Sequence, residues 1–293
     1  MKPLTFNRVI TESALPLYHS ALATMTSDEK DYMEMQVDKV YFKSRFNFLN
    51  AHNGLRPGKV HMMVGATGCG KSSLVRAMAI DCAISAKTMI HLSEENDRDY
   101  AYAINQQLND KDILSRIAVY SEKHVNSKIG LESLDQWFYM LESRIKAFDP
   151  EVIFIDNLST SFLYISCSFQ EQNEAIQRLV DIAQKNQVAI VVVIHTKKDV
   201  NDNHKSLIQP EDVRGTAMSA LTFPYVYIFQ NFRNEQDYNP TITIKKARMH
   251  QCTSQRYALR YNEKVATYSS DDRIGQEQFK QMFQDRFKLN DKN

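Results

Sequence analysis

The segment Gly65-Ala66-Thr67-Gly68-Cys69-Gly70-Lys71-Ser72 fits G-x-x-x-x-G-K-[ST] at every fixed position. Glycines at this spacing let backbone N–H groups curl round a phosphate chain at a helix N-terminus. The lysine supplies a mobile charge to the β and γ phosphates, and the hydroxyl that follows can ligate Mg²⁺. Gly65, Ala66, Thr67, Gly68, Cys69, Gly70, Lys71, Ser72 and Ser73 are therefore the candidate nucleotide cradle. Ser72 is also a candidate metal ligand. The motif needs a strand before it and a helix after it. Apolar Val60 to Val64 and the helically spaced Leu74, Ala77 and Met78 supply both.

A nucleotide-hydrolysing site also needs a carboxylate that orients the metal from a neighbouring strand. Val152 to Ile155 is an apolar run closed by Asp156, the second candidate metal ligand. The base that polarises water often follows that Asp directly, but here the next residue is Asn157. The run Thr88 to Leu92 instead ends in Ser93-Glu94-Glu95-Asn96. Acids at the carboxyl end of a strand stand where an α/β sheet places its ligand crevice. Glu94 is taken as the base with Glu95 in reserve, and one of the pair is expected to cap the following helix. Val188 to Ile194 ends in His195-Thr196-Lys197-Lys198, so His195 reaches the same edge and can meet a γ-phosphate. The polar stretch after it carries Lys197, Lys198 and Lys205, candidates for a nucleic-acid backbone.

These residues need a scaffold that aligns strand ends. Ile117 to Tyr120 and Tyr225 to Phe229 add two more apolar runs, and segments of helical spacing separate the runs from one another. Strands alternating with helices predict an α/β fold, a mostly parallel sheet with helices on both faces. Thr241 to Lys245 and Gln255 to Tyr261 break the alternation and predict an antiparallel C-terminal extension. Residues 1–45 read as a helical arm with a capping box at Thr26 and Glu29. Residues 46–270 read as the ATPase core, and 271–293 as an amphipathic helix over Ile274 to Phe287 with a tail.

Composition excludes some classes. The 293 residues carry 36 Lys plus Arg against 35 Asp plus Glu, so this is no globally basic nucleic-acid coat and any polyanion must meet a local patch. Five of the eight glycines lie between Gly54 and Gly70. Cys69, Cys82, Cys167 and Cys252 form no CxxC pair, which favours a reduced chain. No apolar run approaches a membrane span, and the N-terminus lacks the pattern of a signal peptide, so a cytoplasmic protein is expected.

From about residue 46 to about residue 268 the chain resembles the RecA-like ring helicases of the DnaB type, particularly the helicase half of phage primase-helicases and Twinkle. The resemblance rests on Asn53-Gly54-Leu55-Arg56-Pro57-Gly58, the Gly65–Ser72 motif, Ser93-Glu94-Glu95-Asn96, Val152 to Asp156, His195-Thr196-Lys197 and Pro210-Glu211-Asp212-Val213-Arg214-Gly215-Thr216. It implies Glu94 as base, His195 as phosphate sensor and Arg214 as a further nucleic-acid candidate. It also implies Lys246 and Arg248 of Lys246-Ala247-Arg248 as catalytic cations that act on a neighbouring subunit's nucleotide. Met249-His250-Gln251-Cys252 follows where that family usually places a Gly-containing turn. The implied function is an ATP- and Mg²⁺-dependent translocase and DNA helicase. It would be a homo-oligomer, expected to be a hexamer, on single-stranded DNA in replication, with a primase or polymerase as possible partner. The arm is expected to dock on the next subunit, with no primase domain ahead of the core. A recombination ATPase forming filaments and a nucleotide-controlled oligomeric switch remain the alternatives.

Overall fold

The structure, a computed structural model, describes residues 41–123, 133–161, 166–197, 207–215, 218–231, 239–248 and 250–282. The expected helical arm, Lys198, Lys205, Phe283 and Phe287 lie outside them.

Six strands run parallel: β1 (Val60–Gly65), β2 (Thr88–Leu92), β3 (Ile117–Ser121), β4 (Val152–Asp156), β5 (Ala189–His195) and β6 (Tyr225–Asn231). The antiparallel strands β7 (Pro240–Ala247), β8 (Arg256–Asn262) and β9 (Thr267–Ile274) extend the same sheet, whose order is β3-β2-β4-β5-β1-β6-β7-β8-β9. Every residue of β1, β2, β4 and β5 is buried, whereas the edge strand β3 is half-buried. That is why the central strands read as continuous apolar runs without alternation.

Helices cover both faces. The side chains of Met63, Ile90, Phe154 and Val191 meet α2 (Lys71–Ala83) on one side. Their chain neighbours Met62, Met89, Ile153 and Val192 meet α5 (Leu134–Phe148) and α6 (Phe169–Asn186) on the other, following the two-residue period of a strand. The remaining helices are α1 (Asn47–Asn50), α3 (Asp97–Gln107), α4 (Lys111–Leu114) and α7 (Met218–Thr222). A capping box of Ser168 and Glu171 starts α6, worth about 1 kcal/mol.

The C-terminal expectation needs correction. Residue 270 lies inside β9, which pairs with β8 from Asn262↔Thr267 to Arg256↔Ile274, so Ile274 ends a strand and the helix occupies 276–282. Asp271 shows why no boundary falls there. Its buried carboxylate accepts the N–H groups of Asn47 and Phe48 at 2.5 and 2.8 Å and so holds the start of α1. The sequence signal for β9 is weak because Ser269, Ser270, Asp271 and Asp272 interrupt its apolar residues. Phe279 in 276–282 packs on Ile274. At the other end the unit begins at Tyr41, ahead of the expected 46. Phe42 bridges Leu55, and Ser44 and Arg45 bind the Asp81 carboxylate of α2.

Candidate active site

Register aligns the strand ends. Gly65 of β1 pairs with His195 of β5, and Leu92 of β2 pairs with Asp156 of β4. The phosphate loop, the segment carrying Glu94, Asp156 and His195 therefore share one edge of the sheet.

The loop leaves β1 at Gly65, where a Cβ would come within 2.7 Å of the Phe229 carbonyl on β6. Gly70 enters α2 at φ +104°, a backbone that side chains strongly disfavour. Lys71, the first residue of α2, is buried, and its ammonium donates to the Gly65 carbonyl at 2.9 Å and to that of Ala66. A buried ammonium held by two carbonyls and the Cys69 sulfur of its own loop is a charge ready to transfer to phosphate oxygens.

Asp156 is buried, and its Oδ2 has no hydrogen-bond partner. Burial raises its pKa from 3.8 to about 6, against the opposing effect of a hydrogen bond from Ser72. A buried carboxylate oxygen without a partner, beside the hydroxyl that follows the loop lysine, fits a divalent cation. Among the described residues no cluster of three or more His, Cys, Asp or Glu side chains suits a metal, as expected where phosphate and water complete the shell.

The two acids separate. Glu94 is exposed, with Oε1 4.0 Å from His195 Nε2. Glu95 turns toward Arg76 and Lys123, and burial is the chief cause of its raised pKa. Its carbonyl accepts the Ser121 hydroxyl at 2.8 Å. Both acids are exposed; Glu94 stands opposite His195, and the Glu95 backbone is tied to the end of β3 through Ser121. Neither caps α3, contrary to expectation: Asn96 does, its side chain accepting the Arg98 N–H.

His195 is mostly buried, and its pKa falls to about 4 through burial first and the Lys71 charge second. The segment after it is tied down: Thr196 bridges Val213, the Lys197 N–H donates to Asp212 and the Arg214 N–H donates to the His195 carbonyl. Lys197 and Arg214 are exposed on that tied segment.

Lys246 and Arg248 do not join the site. Lys246 pairs with Val226 and Ala247 with Tyr225, beside Met62 and His61 of β1. Arg248 thus lies near the opposite edge, roughly 15 Å along the strands from Gly65 at ~3.3 Å per residue. Lys246 donates to the Ala220 and Leu221 carbonyls of α7 at 3.2 and 2.7 Å. The chain then turns without the family's glycine, through Ser254 at φ +70°.

Asn157 was missed. The sequence marked it only as the residue that is not a glutamate, yet it links three segments. Its N–H donates to Ser93 Oγ at 3.0 Å, whose hydroxyl donates back to the Asn157 carbonyl at 2.8 Å. Its Nδ2 stands 2.8 Å from His195 Nε2. The available signal was its place directly after Asp156, the candidate metal ligand.

A parallel sheet with the phosphate loop after β1, a strand-end carboxylate on β4 and antiparallel strands beyond β6 defines a RecA-like P-loop ATPase. An AAA domain family model matches residues 45–201, just over half of the chain. The chain belongs to that AAA domain family. Among solved structures it is similar to a KaiC-like protein from the hyperthermophilic archaeon Pyrococcus horikoshii OT3, with TM-score 0.55 and 13% identity over 74% of this chain and 92% of that one. At that identity the likeness concerns the fold. No curated protein sequence matches the chain significantly. Among the described residues no helix is long and apolar enough to cross a membrane.

Proposed function

We propose that this P-loop ATPase is a ring-forming translocase, a DNA helicase of six copies that moves on single-stranded DNA in replication. The observation that carries the reading is the division between two sheet edges. Phosphate loop, metal carboxylate, base and sensor stand at one, and Arg248 stands at the other, too far away to serve its own chain's nucleotide. A head-to-tail contact between copies would bring the two edges together, and such a contact closes into a ring or extends as a filament.

In this reading Lys71 and the loop N–H groups hold the phosphates, and Ser72 and Asp156 would hold Mg²⁺, which neutralises charge across the β- and γ-oxygens. Glu94 orients the attacking water. Lys246 and Arg248 of the adjacent copy stabilise charge on the transferring group, with Lys246 released from its α7 carbonyls. His195 meets the γ-phosphate, and the backbone pairing of residues 195–197 with 212–214 carries the change to Lys197 and Arg214. Lys198 and Lys205 would extend that DNA-facing segment, and a primase or polymerase would be the partner.

The test is steady-state ATP hydrolysis over a protein concentration series, with and without single-stranded DNA. Turnover per subunit that rises cooperatively and is stimulated by DNA supports the proposal. Slow turnover indifferent to both overturns it in favour of a nucleotide-controlled oligomeric switch. DNA stimulation on open filaments in particle images would favour a recombination ATPase.

A further inference from the structure

We propose that Asn157 is a positioning residue whose carboxamide fixes the tautomer of His195. The assignment follows from donors that can point only one way. Asn157 Oδ1 accepts the Thr160 backbone N–H at 2.9 Å, and the hydroxyls of Ser159 and Thr160 lie 2.7 and 2.9 Å from it. A backbone N–H cannot accept, so the oxygen of the amide is at that position and its NH₂ group is the one facing His195. Nδ2 is 2.8 Å from His195 Nε2. A carboxamide nitrogen only donates, so Nε2 carries the lone pair and the imidazole proton sits on Nδ1.

Asn157 is buried, with 3% of its surface exposed, and its backbone is held by Ser93. The His195 backbone is held beside it, its N–H donating at 3.0 Å to the same Ser159 hydroxyl that donates to Asn157 Oδ1. Both partners of the contact are therefore anchored before any ligand binds, the condition under which one hydrogen bond selects one tautomer.

Two consequences follow. Glu94 Oε1 lies 4.0 Å from the same Nε2. With its lone pair engaged by Asn157, Nε2 offers Glu94 no proton, and the carboxylate stays free to accept one from water. His195 Nδ1, buried and without a hydrogen-bond partner, becomes the donor left for an oxygen of the reacting group. This second consequence rests on the sensor role proposed above; the tautomer itself does not.

Asn157→Asp is the informative substitution, because it keeps the Oδ1 acceptor for Thr160 and replaces the donor facing His195 with an acceptor. The protein is labelled with ¹⁵N-histidine and studied at about pH 7.5 as the full chain, with His195 signals identified by their loss in His195→Gln. The wild type is expected to show a pyridine-type Nε2 and a protonated Nδ1, and N157D a protonated Nε2. For ATP hydrolysis, N157D is expected to lower kcat about 10²-fold, the scale of losing one aligned donor, with KM changed less than about twofold because the phosphate loop is untouched. A protonated Nε2 in the neutral wild-type ring overturns the tautomer assignment, which the wild-type spectrum decides even if N157D does not fold, and one pattern shared by both proteins overturns the role of Asn157 in fixing it. A reversed tautomer with unchanged kcat upholds the assignment and refutes the sensor role of His195.

Discussion

Asp156→Asn should make the protein more stable while abolishing its catalysis. The wild-type carboxyl is buried, one of its oxygens has no partner, and its pKa stands at about 6 against 3.8 for an ordinary Asp. The folded state therefore binds a proton more tightly than the unfolded chain. The stability that this proton confers is fully present below pH 3.8 and is lost as pH rises through 6. A rise from 3.8 to about 6 corresponds to about 3 kcal/mol of destabilisation at neutral pH, at ~1.4 kcal/mol per unit. Asn is the same size, carries no charge and still accepts from Ser72. In EDTA, urea unfolding should show D156N gaining up to about 3 kcal/mol near pH 7.5, with the gain shrinking as pH falls through 6 and nearly gone near pH 4. By calorimetry the neutral-pH gain should appear as roughly 6–12 °C in Tm for a unit of this size. Loss of stability in D156N, or a gain that does not change between pH 7.5 and 4, would refute the picture of a carboxylate held charged for a cation. Mg²⁺-dependent ATP hydrolysis should fall to background in the same variant.

Arg248→Ala should abolish turnover and leave nucleotide binding within about twofold, since binding depends on the other sheet edge; full hydrolysis in that variant would remove Arg248 from the mechanism. Gly65→Ala should destabilise the fold by about 1–3 kcal/mol, because its Cβ would sit 2.7 Å from the Phe229 carbonyl, and an unchanged urea midpoint would count against that contact. Acid should unfold the protein at lower denaturant. Burial first, then the neighbouring His250, lowers the His52 pKa to about 4, and burial also lowers that of His61. Stability from these neutral rings is complete above about pH 6.5 and lost as pH falls toward 4. A urea midpoint that stays constant or rises from pH 7 to 5 would contradict it, and D156N should steepen the decline because it removes an opposing titration.

The central sheet was legible because each buried strand is a continuous apolar run bounded by polar residues, and the phosphate loop because its glycines and lysine have few other uses at that spacing. Strand β9 was not. Its Ser269, Ser270, Asp271 and Asp272 break any alternation, and what makes it a strand is nonlocal: pairing with β8 and an Asp271 carboxylate that holds the start of α1 more than 200 residues earlier. The division of labour between Glu94 and Glu95 was equally out of reach, because adjacent residues with identical chemistry differ only in which way the chain turns them. Arg76 and Lys123 stand beside one, and the other stands opposite His195.

Asn157 exposes the larger limit of reading motifs by residue type. A search for a base asks which side chain accepts a proton from water, and by that criterion an amide after the metal carboxylate is a blank. The structure changes the criterion. An amide can accept a backbone N–H with one atom while donating to an imidazole with the other, so its placement decides where a neighbouring proton resides. An acid in its place would compete with Glu94 for that imidazole. On the proposed reading, a base after β2 and an amide after β4 are complementary choices: with the asparagine on Nε2, that nitrogen offers the glutamate 4.0 Å away no proton.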